Sequence, residues 1–285
     1  MNQLMNPRRT EKIVFFFLLL STLVVVLPVI LVVGIIVVRG SSVLSWEFLT
    51  ALPRMGMKAG GIFPAIFGTF CLVVGTVVFA LPVGIFSAIY LSEYSKRGRL
   101  TRLIELAIVN LAGVPSVVYG LFGLGFFVVF LNFGASILAG SLTLAVMSLP
   151  VIITASREAL QAVPKSFREV SYSLGATKWQ TIRHAVLPHA LPGILTGTIL
   201  SLSRAAGETA PILFTVAAFY LPKLPKSVFD QAMALPYHLY VLSTQVPNVK
   251  LELQYGTALV LVALAVLMNI VGIVIRSYFR TKKQW

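Results

Sequence analysis

The chain alternates long apolar runs with shorter polar, mostly basic segments, and six of the runs are long enough to cross a bilayer. They cover approximately Ile13–Val38, Ile62–Tyr90, Ile104–Leu131, Ser136–Thr154, Leu191–Tyr220 and Tyr255–Ile275. A spanning helix needs about 20 mainly apolar residues. Lipid offers no partner to an open strand edge, so every run is predicted to be helical. Pro28, Pro82, Pro115 and Pro150 fall inside or near span ends, where neighbouring helices tolerate a kink. The expected fold class is all-α integral membrane, with six transmembrane helices.

The polar segments set the orientation. Of 23 Lys and Arg, 16 fall in the segments that are inner if the N-terminus is inside, including Arg8, Arg9, Lys12, Arg97, Lys282 and Lys283. Six fall in outer segments, and Arg204 alone lies within a span. Basic residues favour the cytoplasmic side, so both termini are expected there. The predicted organisation is a cytoplasmic tail 1–12, a membrane domain 13–275 and a cytoplasmic tail 276–285. The membrane domain includes an inner segment 157–190 and an outer loop 221–253. That loop carries Pro222, Pro225, Pro236 and Pro247 with Phe229, Tyr237 and Tyr240 between them, which suits the interface or a soluble partner.

Composition agrees. The chain has 285 residues, 58% hydrophobic and 11% charged, whereas a soluble domain carries about 25% charge. The net charge of +14 follows from topology and attraction to anionic lipid; no basic, aromatic-interleaved run suggests nucleic acid. Cys71 is the single cysteine and reads as a small packing residue. The first run is too long for a signal-peptide core and is read as an uncleaved span.

The inner segment predicts two short helices meeting at a glycine. Ser166-Phe167-Arg168-Glu169 and Thr177-Lys178-Trp179-Gln180 both fit capping boxes, and Gly175 suits a left-handed helix end between them. The second helix is expected to stop near Pro188. Phe167, Tyr172 and Trp179 are candidate anchors for a docked protein. A plain surface connector is the alternative. DNA binding is disfavoured, because tethers to two spans hamper entry into a groove.

In the fifth span, Arg204 and Glu208 stand four residues apart within apolar sequence. Helical spacing extends them into a small or polar stripe with Gly197, Ser201, Pro211 and Thr215. A charge there faces other helices or an aqueous path, not lipid. Arginine presents paired donors to an oxyanion, with Glu208 holding it while the path is empty. A static ion pair is the competing reading. Asn110, Ser116 and Tyr119 around Pro115 are weaker path candidates, with helix packing through Gly113 and Gly120 as the alternative; Thr154 is equally ambiguous. His184, His189 and His238 lack metal-ligand spacing and are expected at the surface or an interface. No phosphate-cradling Gly-x-x-x-x-Gly-Lys-Ser/Thr loop is present.

Glu169-Val170-Ser171-Tyr172-Ser173-Leu174-Gly175, followed by Ala185-Val186-Leu187-Pro188, resembles the EAA loop of ABC importer permeases. Val170, Ser171 and Ala185 depart from that pattern by small or apolar exchanges. Gly60-Gly61-Ile62, Ala112-Gly113-Val114-Pro115-Ser116-Val117-Val118-Tyr119-Gly120 and Arg204-Ala205-Ala206-Gly207-Glu208-Thr209-Ala210-Pro211 look like the PstA-type permeases of phosphate importers. The resemblance implies a type I ABC importer permease fold in the bacterial inner membrane. It implies a coupling helix carried by Arg168, Glu169, Tyr172, Leu174, Gly175 and Ala176, and a phosphate path through Arg204, Glu208, Ser201, Thr215 and Ser116. No cofactor is expected on this chain; ATP and Mg belong to a separate dimeric, PstB-like ATPase. A PstC-like second permease and an extracytoplasmic PstS-like phosphate-binding protein complete the implied complex, alongside membrane lipid. Molybdate or sulfate import has the same architecture, and an anion channel is the rival of another class.

Overall fold

A computed structural model describes residues 7–96 and 98–281 of the chain. Arg97, Lys282, Lys283 and the first six residues lie outside the described part. The first helix, α1, runs Pro7–Gly40, so it begins before the apolar run itself. A small outer cap follows: α2 (Trp46–Thr50) and a hairpin of β1 (Pro53–Arg54) and β2 (Ala59–Gly60). Next come α3 (Phe63–Ile89), α4 (Arg99–Ala112), α5 (Ser116–Gly123) and α6 (Ile137–Ala162). The inner segment forms α7 (Lys165–Ser173) and α8 (Lys178–Thr181) and leads into α9 (Leu187–Gly207) and α10 (Ala210–Thr215). The chain ends with α11 (Leu235–Thr244) and α12 (Leu251–Thr281).

Five helices are long and apolar enough to cross a membrane; α4 and the helix that α5 begins, continued by a π-helical stretch Leu124–Phe130, are bent by 103° to each other and count as a sixth span if the bent pair is taken as one. The third run, Ile104–Leu131, is therefore broken at Pro115, more sharply than the tolerated kink the sequence suggested. Pro115 has no N–H to donate and takes an extended ψ of 141°, so the helical ladder stops and restarts at Ser116. Tyr119 straps the bend by donating its hydroxyl to the Leu111 carbonyl at 2.7 Å.

The core is α6, held between α3 and α9. Lipid gives helices no hydrophobic drive to associate, so close contact through small residues does the work. Gly84 leaves room for Ile152, Gly197 for Ala155, and Gly193 for Ala159. Gly272 seats α12 on Ile199 of α9. Helix α1 touches α12, where Gly40 approaches the Tyr255 carbonyl and the Arg39 guanidinium lies 5.4 Å from the Tyr255 ring centroid. Along the rest of its apolar length α1 is exposed, as a lipid-facing helix should be.

Two further expectations are corrected. The fifth span is not one helix to Tyr220: α9 ends at Gly207, Glu208 is extended at φ −72° and ψ 133°, and α10 restarts with Pro211 in its first turn, where a missing N–H costs nothing. The 221–253 loop is not simply an outer surface. Leu235, His238, Val241 and Leu242 are buried in the outer core with Phe48, Leu72 and Met233. His238 is thus a core residue, and Tyr237 is buried too, whereas Val228 and Phe229 stay exposed.

Candidate functional site

The first site is the α9–α10 break. Helix α10 packs on α5, with Gly120 against the Ala210 carbonyl and Pro211, so the two broken helices meet inside the bundle. Arg204 occupies the last turn of α9 and Glu208 the residue that caps it. The Arg204 Nε donates to Glu208 Oε1 at 3.2 Å. The two side chains differ sharply in access: 61% exposed for arginine, 15% for glutamate. The terminal guanidinium nitrogens have no hydrogen-bond partner among the described residues. A charged donor fork therefore projects from the bundle while its counter-ion sits behind it.

The other predicted path residues sit differently. Ser116 is half-buried at the first turn of α5. Ser201 is buried and donates to the Ser148 carbonyl of α6 at 3.4 Å, across the helix contact. Thr215 is fully buried in α10 and donates to the Pro211 carbonyl at 2.7 Å. The even stripe expected from helical spacing is interrupted, because the helix ends between Arg204 and Pro211. Asn110 and Thr154 are exposed.

The second site is the elbow of α7 and α8. Thr177 and Gln180 form the expected capping box, with Thr177 N–H donating to Gln180 Oε1 at 2.8 Å. Gly175 adopts φ +80°, which a side chain would strain. Ser166 is not a cap; α7 instead starts after Pro164, whose ψ of 144° turns the chain out of α6. Nor does Pro188 end the second helix. A π-helical turn, Ile182–Val186, lets the Leu187 N–H reach the Ile182 carbonyl, and the helix continues into α9 past the proline ring. The elbow is thereby joined to Arg204 by continuous helix.

The elbow exposes apolar side chains that a water-facing turn would avoid: Val170, Tyr172, Trp179 and above all Leu174, at 84% exposure. Glu169 and Gly175 are exposed beside them, and Ala176 is half-buried. Phe167 is not an exposed anchor; its ring lies 4.6 Å from the His189 ring. Arg168 turns inward. Its guanidinium reaches Glu93 Oε1 at 2.6 Å and also donates to the Val163 and Leu160 carbonyls, both at 2.9 Å. Glu93 was invisible from sequence, because its partner lies 75 residues away.

Comparison with known proteins identifies the family. Residues 80–284 match the family model described as "Binding-protein-dependent transport system inner membrane component". The chain is 30% identical over 276 residues to the probable ABC transporter permease protein YqgI of Bacillus subtilis, covering 92% of this chain and 94% of that one. It is 38% identical over 219 residues to the phosphate transport system permease protein PstA 1 of Mycobacterium tuberculosis, covering 76% and 71% of the two chains. Its fold resembles a bacterial ABC transporter involved in alginate import, with a TM-score of 0.67 at 14% identity over 95% of this chain and 99% of the other. A helical bundle with a protruding elbow and a family match spanning both sites place the chain among the binding-protein-dependent inner membrane components: it is a multi-pass permease subunit of an ABC importer, a membrane partner of the ATPase and not the ATPase itself.

Proposed function

We propose that this permease carries inorganic phosphate into the cytoplasm, with Arg204 as the residue that meets the anion. The observation that carries the reading is the free donor fork of Arg204 beside a single, less exposed carboxylate. The relatives named as phosphate permeases direct the oxyanion to phosphate.

In the empty path Glu208 holds Arg204 through Nε. The unpaired terminal nitrogens are free to receive two oxygens of an entering phosphate. In a partly dry path that attraction exceeds its strength in water, yet one arginine binds weakly enough for the anion to leave. Arg204 stands on an open face of this chain, which a PstC-like second permease would close into a conduit. The exposed apolar elbow is the docking element for a dimeric, PstB-like ATPase carrying ATP and Mg, and Val228 and Phe229 lie on the side reached by a PstS-like phosphate-binding protein. Nucleotide-driven closure of the ATPase pushes the elbow, and the push enters α9 directly.

The test is labelled phosphate uptake into proteoliposomes containing the assembled complex and binding protein. Uptake against a gradient that requires ATP is expected; uptake without ATP would instead indicate a channel. Excess sulfate or molybdate should not compete, and competition by either would reassign the substrate. Arg204→Gln should abolish uptake while the complex still purifies and hydrolyses ATP. Wild-type uptake by that variant overturns the role given to Arg204.

A further inference from the structure

The cytoplasmic end of α3 does not stop at its last α-helical turn. It continues through a π-helical turn, Tyr90–Tyr94, and there two adjacent side chains meet the elbow. The Glu93 side chain is only 8% exposed and takes Arg168 of α7, itself 17% exposed. The Tyr94 ring takes Lys178 of α8, whose Nζ lies 4.8 Å from the ring centroid. Beneath them Ala88, Ile89 and Leu91 share an apolar cluster with Val163 and with Ile182 and Val186 of the turn that leads into α9.

Arg168 is more than a partner for Glu93. Leu160 and Val163, whose carbonyls it also caps, lie at the C-terminal end of α6, where helix carbonyls lack backbone donors. One largely desolvated guanidinium thus joins the ends of α3 and α6 to the first turns of α7. The elbow is joined covalently to α6 on one side and to α9 on the other, but not to α3. Helix α3 packs heavily on α6, and α6 packs on α9. A push that moved α6 and α9 without α3 would shear the α3–α6 seam.

We propose that the Glu93–Arg168 junction is the non-covalent output of the elbow: it makes α3 follow when the ATPase displaces α7 and α8, so that Glu93 is a positioning residue for transport. The proposal rests on the reading of the elbow as the ATPase-docking element. It differs from a folding staple in what its loss should do. A staple affects assembly; a mechanical junction affects how much substrate moves per ATP.

The experiment is the ratio of phosphate transported to ATP hydrolysed, measured on assembled complex in proteoliposomes. Glu93→Gln keeps shape and removes the charge. Basal ATPase is expected to stay near wild type while the transport ratio falls at least about tenfold, within the usual range of coupling factors. Arg168→Met should lower the ratio similarly, and the double variant should be no worse than either single one, because the two act as a unit. Assembled Glu93→Gln complex with a wild-type ratio overturns the proposal, as does additivity of the two losses. If neither Glu93→Gln nor the milder Glu93→Asp assembles, the pair is a staple and the proposal also fails. A wild-type complex without ATP-driven phosphate uptake would sink the phosphate reading instead, which is a separate result.

Discussion

A charge inside an apolar span costs about 2.5–3.5 kcal/mol on insertion scales, so Arg204 needs a reason to be there. Among the described residues its single carboxylate contact, through Nε, leaves the fork geometry unused. Geometry, beyond charge, should therefore matter. Arg204→Lys keeps the charge but presents a point donor, and uptake at fixed complex is expected to fall about tenfold, short of the complete loss expected for glutamine. Equal uptake by lysine and arginine would show that charge alone suffices. His238 makes the opposite case. It is buried in the outer core with no partner for Nδ1 among the described residues. Burial pushes its pKa down from 6.5 to about 4, so it folds neutral. The unfolded chain binds a proton more readily through that window. Stability is then full above about pH 6.5 and falls as pH drops toward 4, by up to about 3 kcal/mol. Thermal unfolding in detergent should show this loss, and His238→Leu should flatten it. Of these residues, Arg204 and Glu208 were legible because charge is conspicuous in apolar sequence. His238 and Glu93 were not, because burial and long-range pairing leave no trace in spacing.

Hydropathy located the spans, since length and apolarity are local properties. It could not locate the breaks. Pro115 and Pro211 both interrupt a helix, whereas Pro28, Pro82 and Pro150 sit inside continuous ones. What the two breaks share is tertiary: the helices that restart after them, α5 and α10, pack on each other at Gly120. The π-helical turns at Tyr90–Tyr94 and Ile182–Val186 are equally hidden, since one extra residue barely alters an apolar pattern. Capping chemistry was readable at Thr177 but not at Ser166, where Pro164 sets the entry angle first. At this scale the helix seams make a paired prediction. A Cβ at Gly197 would fall on the Ala155 side chain, while one at Gly34 of α1 meets nothing. Gly197→Leu should therefore separate α6 from α9 and lower the yield of folded permease several-fold, as overpacking does. Gly34→Leu should be silent. Size-exclusion profiles of both variants in detergent decide it: a normal Gly197→Leu profile would mean the α6–α9 seam has slack.

For the whole molecule, capping patterns and a charge in an apolar span pointed to an elbow below and a charge within, and the continuous helix past Pro188 supplies their connection. On the proposed reading the elbow and Arg204 lie at opposite ends of that helix, and Arg204, 61% exposed, is open to a partner. The two ends should therefore fail separately. Leu174 is the most exposed of the apolar elbow residues, at 84%, so its side chain contributes little to holding the elbow together. Leu174→Asp places a charge where a docked ATPase would bury a side chain, so ATPase co-purification with the permease should drop sharply. Membrane insertion and the helix seams should be untouched, because the change lies outside the bundle. Arg204→Gln should show the reverse pattern, with full ATPase recovery and no uptake. Quantifying ATPase bound per permease, alongside uptake, separates the two: if Leu174→Asp retains its full complement of ATPase, the elbow docks through some other surface, and the push into α9 must begin elsewhere.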